Sequence, residues 1–207
     1  MKLKDGVAFK SATELAGRIR QKDFSCRDLL ELYISRIERF NPTLNCVVTT
    51  NFDDARAQAD QADAEVSVGK KLGPLHGLPI TVKDALETAG IQSTGGAREL
   101  LGNIPERDAP VVKAVKDAGA IVMAKTNLPR WSGDLQTFND IFGTTNNPWD
   151  LDRVPGGSSG GAAAAVAAGL TAFEIGTDIG GSIRYPSSFC GAFGHKPSFG
   201  IVPSRGY

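Results

Sequence analysis

The sequence of 207 residues has little that would draw the chain to a membrane or a nucleic acid. No stretch reaches the roughly 18 apolar residues that a membrane-spanning helix needs, so we expect no membrane partner. The 23 basic residues balance 23 acidic residues, which leaves no global field to attract nucleic acid. We therefore expect no nucleic-acid partner. The N-terminal segment also lacks the apolar core of a secretory signal.

Cysteine and histidine are scarce, at three and two residues. Cys26, Cys46 and Cys190 are odd in number and far apart, which argues against a disulfide framework and against a zinc site. Free thiols are typical of a reducing compartment, and we expect a cytoplasmic location. We expect neither a metal nor a cofactor.

Glycine is abundant, with 24 residues, and most of the excess follows Gly143. Before that point, apolar residues at helical spacing follow Ser11 and Ser25, two residues suited to cap a helix. Short apolar runs alternate with these helical stretches, which predicts an α/β fold. We predict helices over 11–21, 25–41, 52–66, 109–117 and 162–168, and strands over 44–50, 80–82, 120–124 and 172–176.

The letters G-G-S-S-G-G at 156–161 allow more than one interpretation. A glycine-rich turn before a helix can cradle an anion, but neither nucleotide-binding glycine pattern occurs here. The stretch 157–161 also fits G-x-S-x-G, the turn that carries the nucleophile of many serine hydrolases. Asp178 and His195 would then complete a triad with Ser159. Pro155 argues against this, because such a turn follows directly on a strand.

Lys83 and Ser182 suggest a third interpretation. Ser182 follows two glycines, which leave its hydroxyl accessible, and it needs a base. A buried lysine can act as that base, since loss of hydration lowers its pKa. Lys83 ends the apolar run I-T-V and could have a buried stem. Spacing alone favours an ordinary solvated lysine at this position.

A longer set of motifs favours this third interpretation. The sequence resembles the amidase signature family, and the resemblance extends over essentially the whole chain. It rests on motifs in the family's order, at 77–84, 125–127, 142–143, 146–149, 156–161, 176–186, 188–191 and 196–197. Members of that family hydrolyse amide bonds with a Ser–Ser–Lys triad. The fold implied is α/β, with a mixed, twisted sheet covered by helices on both sides.

The resemblance assigns the triad position by position. Ser182 matches the nucleophile, Lys83 the base, and Ser158 the serine that bridges them after a cis peptide bond. Ser159 becomes a supporting neighbour. Backbone N–H groups of four consecutive residues match the family's oxyanion hole, which binds the developing negative charge: Ile179, Gly180, Gly181 and Ser182.

Further roles follow from the same resemblance. Ser132 and Gly133 match positions that line the substrate pocket, while Asp178 and Arg184 match residues that brace the catalytic loop. Cys190 is assigned to packing, and His195 is not assigned as a second base. The partner implied is a small-molecule amide, and a homodimer is left open.

The chain is considerably shorter than the family's domain, so we interpret 1–207 as its N-terminal portion, with the C-terminal portion absent. Two alternatives to an amidase remain open. One is a non-catalytic fragment or scaffold. The other is the glutamine-hydrolysing subunit of a tRNA-dependent amidotransferase, although the segment 127–134 looks more like that of free-standing amidases.

Overall fold

The computed structural model describes residues 3–207, which contain six α-helices and six β-strands. The helices are α1 Ala12–Arg20, α2 Cys26–Leu44, α3 Phe52–Ser67, α4 Pro110–Asp117, α5 Gly160–Ala167 and α6 Arg184–Cys190. The strands are β1 Val47–Thr50, β2 Pro79–Lys83, β3 Ile121–Thr126, β4 Phe138–Asn139, β5 Gly143–Thr144 and β6 Glu174–Ile175. Short 3₁₀ turns cover Asp5–Phe9, Arg98–Leu100 and Arg130–Ser132.

The first two helices begin where the capping residues predict. Ser11 Oγ accepts the Glu14 N–H at 3.2 Å, and Ser25 forms a reciprocal capping box with Asp28. The predicted end of α2 was wrong, because the helix continues through Pro42 to Leu44. A proline in the last turn removes few helical hydrogen bonds. The Asn41 side chain accepts the N–H groups of the two residues that start the next segment, which stabilises the exit.

The main sheet is mixed, as predicted, with the strand order β1-β3-β2-β6. Strand β1 runs antiparallel to β3, whereas β2 runs parallel to both β3 and β6. Every residue of β2 and β3 is buried, which is usual for parallel strands covered on both faces. Strand β6 is shorter than predicted. Neither α6 nor the two-stranded β4–β5 pair was predicted.

Helices pack on this sheet through apolar and very small residues. Helices α2 and α3 contact β2 and β3, and α5 contacts β2, β3 and β6. A Cβ atom on Gly161 of α5 would lie only 2.5 Å from the Asn127 backbone, so a larger residue would push the helix away. This close approach brings Ser158, which lies just before α5, to the carboxyl end of β2. No helix within residues 3–207 is long and apolar enough to cross a membrane.

Candidate active site

Lys83 is the last residue of β2 and is fully buried. Its Nζ donates hydrogen bonds to Ser158 Oγ at 2.6 Å and to Thr177 Oγ1 at 2.8 Å. Burial lowers the pKa of Lys83 to about 7, although the negative charges of Glu174 and Asp178 act in the opposite direction. Near neutral pH a substantial fraction of such an amine is uncharged and able to accept a proton. No motif in the sequence indicated Thr177 as a partner of Lys83.

Ser158 follows a cis peptide bond from Gly157, in agreement with the resemblance. A Cβ atom on Gly157 would lie 2.7 Å from the Asp134 carbonyl oxygen, so glycine allows the two loops to touch. Thr137 Oγ1 fixes the loop from the side, because it accepts the Gly160 N–H at 3.1 Å and donates to the Gly156 carbonyl at 3.0 Å. Ser158 is therefore held rigidly between Lys83 and the start of α5.

Ser159 has a supporting role. Its N–H donates to the Ser182 carbonyl at 3.1 Å, and its hydroxyl donates to the Thr177 carbonyl at 3.1 Å. The structure does not assemble the triad of the G-x-S-x-G interpretation. In the described part of the chain no hydrogen bond joins Ser159 to Asp178 or to His195, and His195 is exposed.

The loop at 178–182 is organised by Asp178. Its carboxylate accepts the Gly181 N–H at 2.7 Å and the Ile183 N–H at 3.1 Å, and it forms an ion pair with Arg184. Burial raises the pKa of Asp178, but Arg184 and the backbone donors outweigh this and hold it well below its usual range. Asp178 and Arg184 thus brace the loop, as the resemblance implied.

The bracing has a consequence for the expected oxyanion hole. The Gly181 N–H is occupied by Asp178, so it is not free to bind an oxyanion. Among the described residues, the N–H groups of Ile179, Gly180 and Ser182 have no acceptor. Ser182 Oγ likewise makes no hydrogen bond to Ser158 Oγ within residues 3–207. The Ser182 carbonyl accepts the Ser159 N–H, but in the described chain the Ser182 hydroxyl forms no hydrogen bond.

The two predicted pocket residues lie on the loop that touches Gly157. Ser132 has a left-handed backbone with φ of 57°, and the Gly133 N–H bonds to the Arg130 carbonyl at 3.1 Å. The loop then continues to Asp134, which packs on Gly157. Ser132 and Gly133 are therefore near the site, and in the described chain neither of them forms a hydrogen bond with Lys83.

Two remaining expectations concern cysteine and metals. Cys190 is buried, its thiol donates to the Pro155 carbonyl at 3.4 Å, and burial raises its pKa to about 12. A thiol in that state packs and does not react. Residues 3–207 contain no group of three or more histidine, cysteine or carboxylate side chains that could hold a metal ion.

Comparison with known proteins identifies the family of this chain. The family model called Amidase matches residues 28–207, and the chain belongs to that family, the amidase signature enzymes. Over 95% of its length it is 42% identical to a subunit of the glutamyl-tRNA(Gln) amidotransferase of Heliobacterium modesticaldum, and it covers 40% of that subunit.

Solved structures of amidases have the same fold. The peptide amidase of Stenotrophomonas maltophilia superposes with a TM-score of 0.92 at 34% identity, over 98% of this chain and 43% of that one. A bacterial aryl acylamidase of the amidase signature family gives 0.90 at 37% identity, over 94% of this chain and 41% of that one. The chain therefore spans about two fifths of the length of the proteins it matches.

Proposed function

We propose that the protein hydrolyses the C–N bond of a carboxylic acid amide, with Ser182 as nucleophile, Ser158 as proton bridge and Lys83 as base. The observation that carries the proposal is the fully buried hydrogen bond of 2.6 Å from Lys83 Nζ to Ser158 Oγ. A buried amine whose pKa is lowered to about 7 is suited to take a proton from a serine at neutral pH.

The proposed reaction has two halves. Ser182 Oγ attacks the amide carbon while its proton passes to Ser158 Oγ, whose own proton passes to Lys83 Nζ. The ammonium formed on Lys83 then returns a proton, again through Ser158, to the leaving nitrogen. Ammonia or an amine departs, and water cleaves the acyl-enzyme ester to release the acid. No metal or cofactor is required.

The negative charge that develops on the substrate oxygen is best stabilised by hydrogen-bond donors that are already in position. We propose the N–H groups of Ile179, Gly180 and Ser182 for this role, since none has an acceptor in the described chain. Asp178 and Arg184 hold these groups in place through the loop. Each such donor typically contributes about 3–4 kcal/mol to transition-state stabilisation.

Labelling with a fluorophosphonate tests the nucleophile. Ser182 should displace fluoride from phosphorus and become phosphonylated, and both S182A and K83A should remain unlabelled. The control is S188A, which should be labelled like wild type, since Ser188 is an exposed serine of the adjacent helix α6. Labelling of S182A at the wild-type rate would overturn the proposal. Absence of labelling in the wild-type protein would favour the non-catalytic scaffold.

A second candidate is the glutamine-hydrolysing subunit of a tRNA-dependent amidotransferase. It is favoured by the 42% identity to a subunit of an enzyme of that name. The same triad would then release ammonia from glutamine, and the protein would bind partner subunits. Co-purification with such subunits, together with tRNA-dependent transfer of ammonia, would support this candidate over a free-standing amidase. A free-standing amidase would hydrolyse simple amides alone.

We also propose that residues 1–207 form the N-terminal portion of a larger amidase domain. Large apolar side chains of the C-terminal segment that includes Ser182 are open to solvent, with Phe193 99%, Phe199 101% and Ile179 81% exposed. Such exposure is unusual for a complete fold, and further polypeptide packed there would complete the substrate pocket. Because all three cysteines are free and buried, we keep the cytoplasm as the proposed location.

A further inference from the structure

The sheet places a carboxylate on the same face as Lys83. Thr81 and Lys83 are two residues apart on β2, so their side chains leave the same face of the sheet. In the register, Thr81 lies opposite Glu174 of β6 and Lys83 lies opposite Thr126 of β3. Lys83, Glu174 and two threonines therefore form one polar cluster beneath the start of α5.

Glu174 is held firmly in this cluster. The hydroxyl of Thr126 donates to Oε1 at 2.9 Å, and the hydroxyl of Thr81 donates to Oε2. Hydroxyl donors on both oxygens favour the ionised carboxylate and fix its orientation. No lysine or arginine in residues 3–207 forms a direct ion pair with it. The positive charges that favour its ionised form are those of Lys125 and Lys83.

Lys83 is the group that most needs the negative charge of Glu174. Its two hydrogen-bond acceptors, Ser158 and Thr177, are neutral hydroxyls. The other nearby acid, Asp178, is already paired with Arg184. Among the charges that act on Lys83, Glu174 is the strongest, ahead of Asp178. Burial in turn raises the pKa of Glu174 to about 8, so the titrations of the two groups are coupled.

We propose that Glu174 is a positioning residue for the base, Lys83. The Glu174 carboxylate, oriented by Thr81 and Thr126, is the countercharge for the ammonium form of Lys83. It would stabilise that form when Lys83 has accepted the proton of the nucleophile and before the proton passes to the leaving nitrogen. This inference rests on the proposed function for its role in the reaction. The effect of Glu174 on the titration of Lys83 can be measured without turnover.

Other titratable groups around this pair are few. Helix α5 and strand β1 contribute none, apart from the thiol of Cys46 just before β1. The remaining groups lie just after β2, on β3, and at or just before the start of α6: Asp84, Lys125, Asp178 and Arg184. Of these, Lys125 is also acted on by the charge of Glu174. Substitution of Glu174 therefore removes one charge that acts on both Lys83 and Lys125.

Carbon-13 NMR of the lysine Cε atoms, in the full protein that carries these residues, tests the inference. The Lys83 signal is assigned by its loss in K83M and is followed against pH. In E174Q the titration midpoint of Lys83 should fall by about one pH unit, because the charged form loses its countercharge. The matched control is E38Q, which removes an exposed carboxylate of α2 and should leave the midpoint unchanged.

An unchanged midpoint in E174Q would overturn the inference, whether or not the protein is active. Should E174Q fail to fold, T126V supplies the second measurement. Loss of the Thr126 hydroxyl destabilises the ionised form of Glu174, so the titration midpoint of Lys83 should also fall. Activity gives an independent readout. The acid limb of kcat/KM should move to lower pH in E174Q, which loss of packing alone would not produce. Failure of fluorophosphonate labelling would count against the proposed function and leave the midpoint shift to decide this inference.

Discussion

Two buried lysines lie at the carboxyl ends of neighbouring strands of the sheet, and their surroundings differ. Lys83 of β2 donates two hydrogen bonds, both to hydroxyls. Lys125 of β3 donates three, to the Leu86 carbonyl at 2.5 Å and to the hydroxyls of Ser93 and Thr88 at 2.9 and 3.0 Å. Burial lowers the pKa of both, to about 7 and about 8.

The comparison shows that a lowered pKa by itself does not indicate a base. An ammonium group has three donors, and all three of Lys125 are used in fixing the turn after β2. Lys83 keeps one donor position unused in the described chain, and one of its partners is a serine on a glycine loop. We propose a structural role for Lys125, and the proposed function gives Lys83 the role of the base. Activity, stability and the pH dependence of stability each test this assignment.

The largest expected effect is on activity. K83M should lower kcat/KM for an amide by about 10⁴-fold or more, because the proton of the nucleophile has no acceptor. K125M, measured on folded protein, should stay within about 10-fold of wild type, since its amine lies outside the proton path. Steady-state kinetics with one amide substrate would compare them. Equal losses in the two variants would remove the distinction between the lysines.

For stability we expect the opposite order, with a larger loss in K125M than in K83M. K125M removes three hydrogen bonds and the positive charge that acts on the buried Asp84, and we expect a loss of about 3 kcal/mol or more in the free energy of unfolding. K83M removes an ammonium that is costly to bury, and its hydroxyl partners can donate elsewhere, so it should lose much less or gain stability. Urea unfolding of both variants at neutral pH checks this. A larger loss for K83M would contradict it.

The smallest expected effect of replacing Lys83 is on how the free energy of unfolding changes with pH. The unfolded Lys83 keeps its proton to about pH 10.5, whereas the folded one loses it near 7. Between these values the unfolded chain binds more protons, so stability rises with pH. Glu174 has the reverse slope, confined below about pH 8. Urea unfolding between about pH 8 and pH 10 should therefore show a shallower rise in K83M than in wild type, and equal slopes would argue against a buried Lys83.

Much of the fold could be predicted from local signals. Ser11 and Ser25 start helices as their spacing predicts, and the alternation of helices with apolar runs indicates the α/β class. The errors lie where local rules conflict with tertiary contacts. Helix α2 continues through Pro42 to Leu44, and the Asn41 side chain accepts two N–H groups beyond the end of the helix. The strands β4 and β5 have two residues each, which is too short for a periodic pattern.

The site was predicted unevenly. The family resemblance indicated Lys83, Ser158 and Ser182 as candidate triad residues, and the expected cis peptide bond before Ser158 is present. Thr177 and Glu174 could not be predicted, since a threonine and a glutamate in or beside a short strand have no distinctive spacing. Their roles depend on the register of β6 against β2, which only the sheet defines.

By itself, the sequence determined the order of motifs, the glycines that allow loops and helix to touch, and the residue types of the proposed Ser–Ser–Lys site. Only the tertiary structure decided which lysine is in contact with which hydroxyl. Ser158 is 75 residues from Lys83 along the chain, and Thr177 is 94 residues from it. Loss of hydration and choice of hydrogen-bond partners arise from such distant contacts, and these two effects together set the proton affinity of an amine.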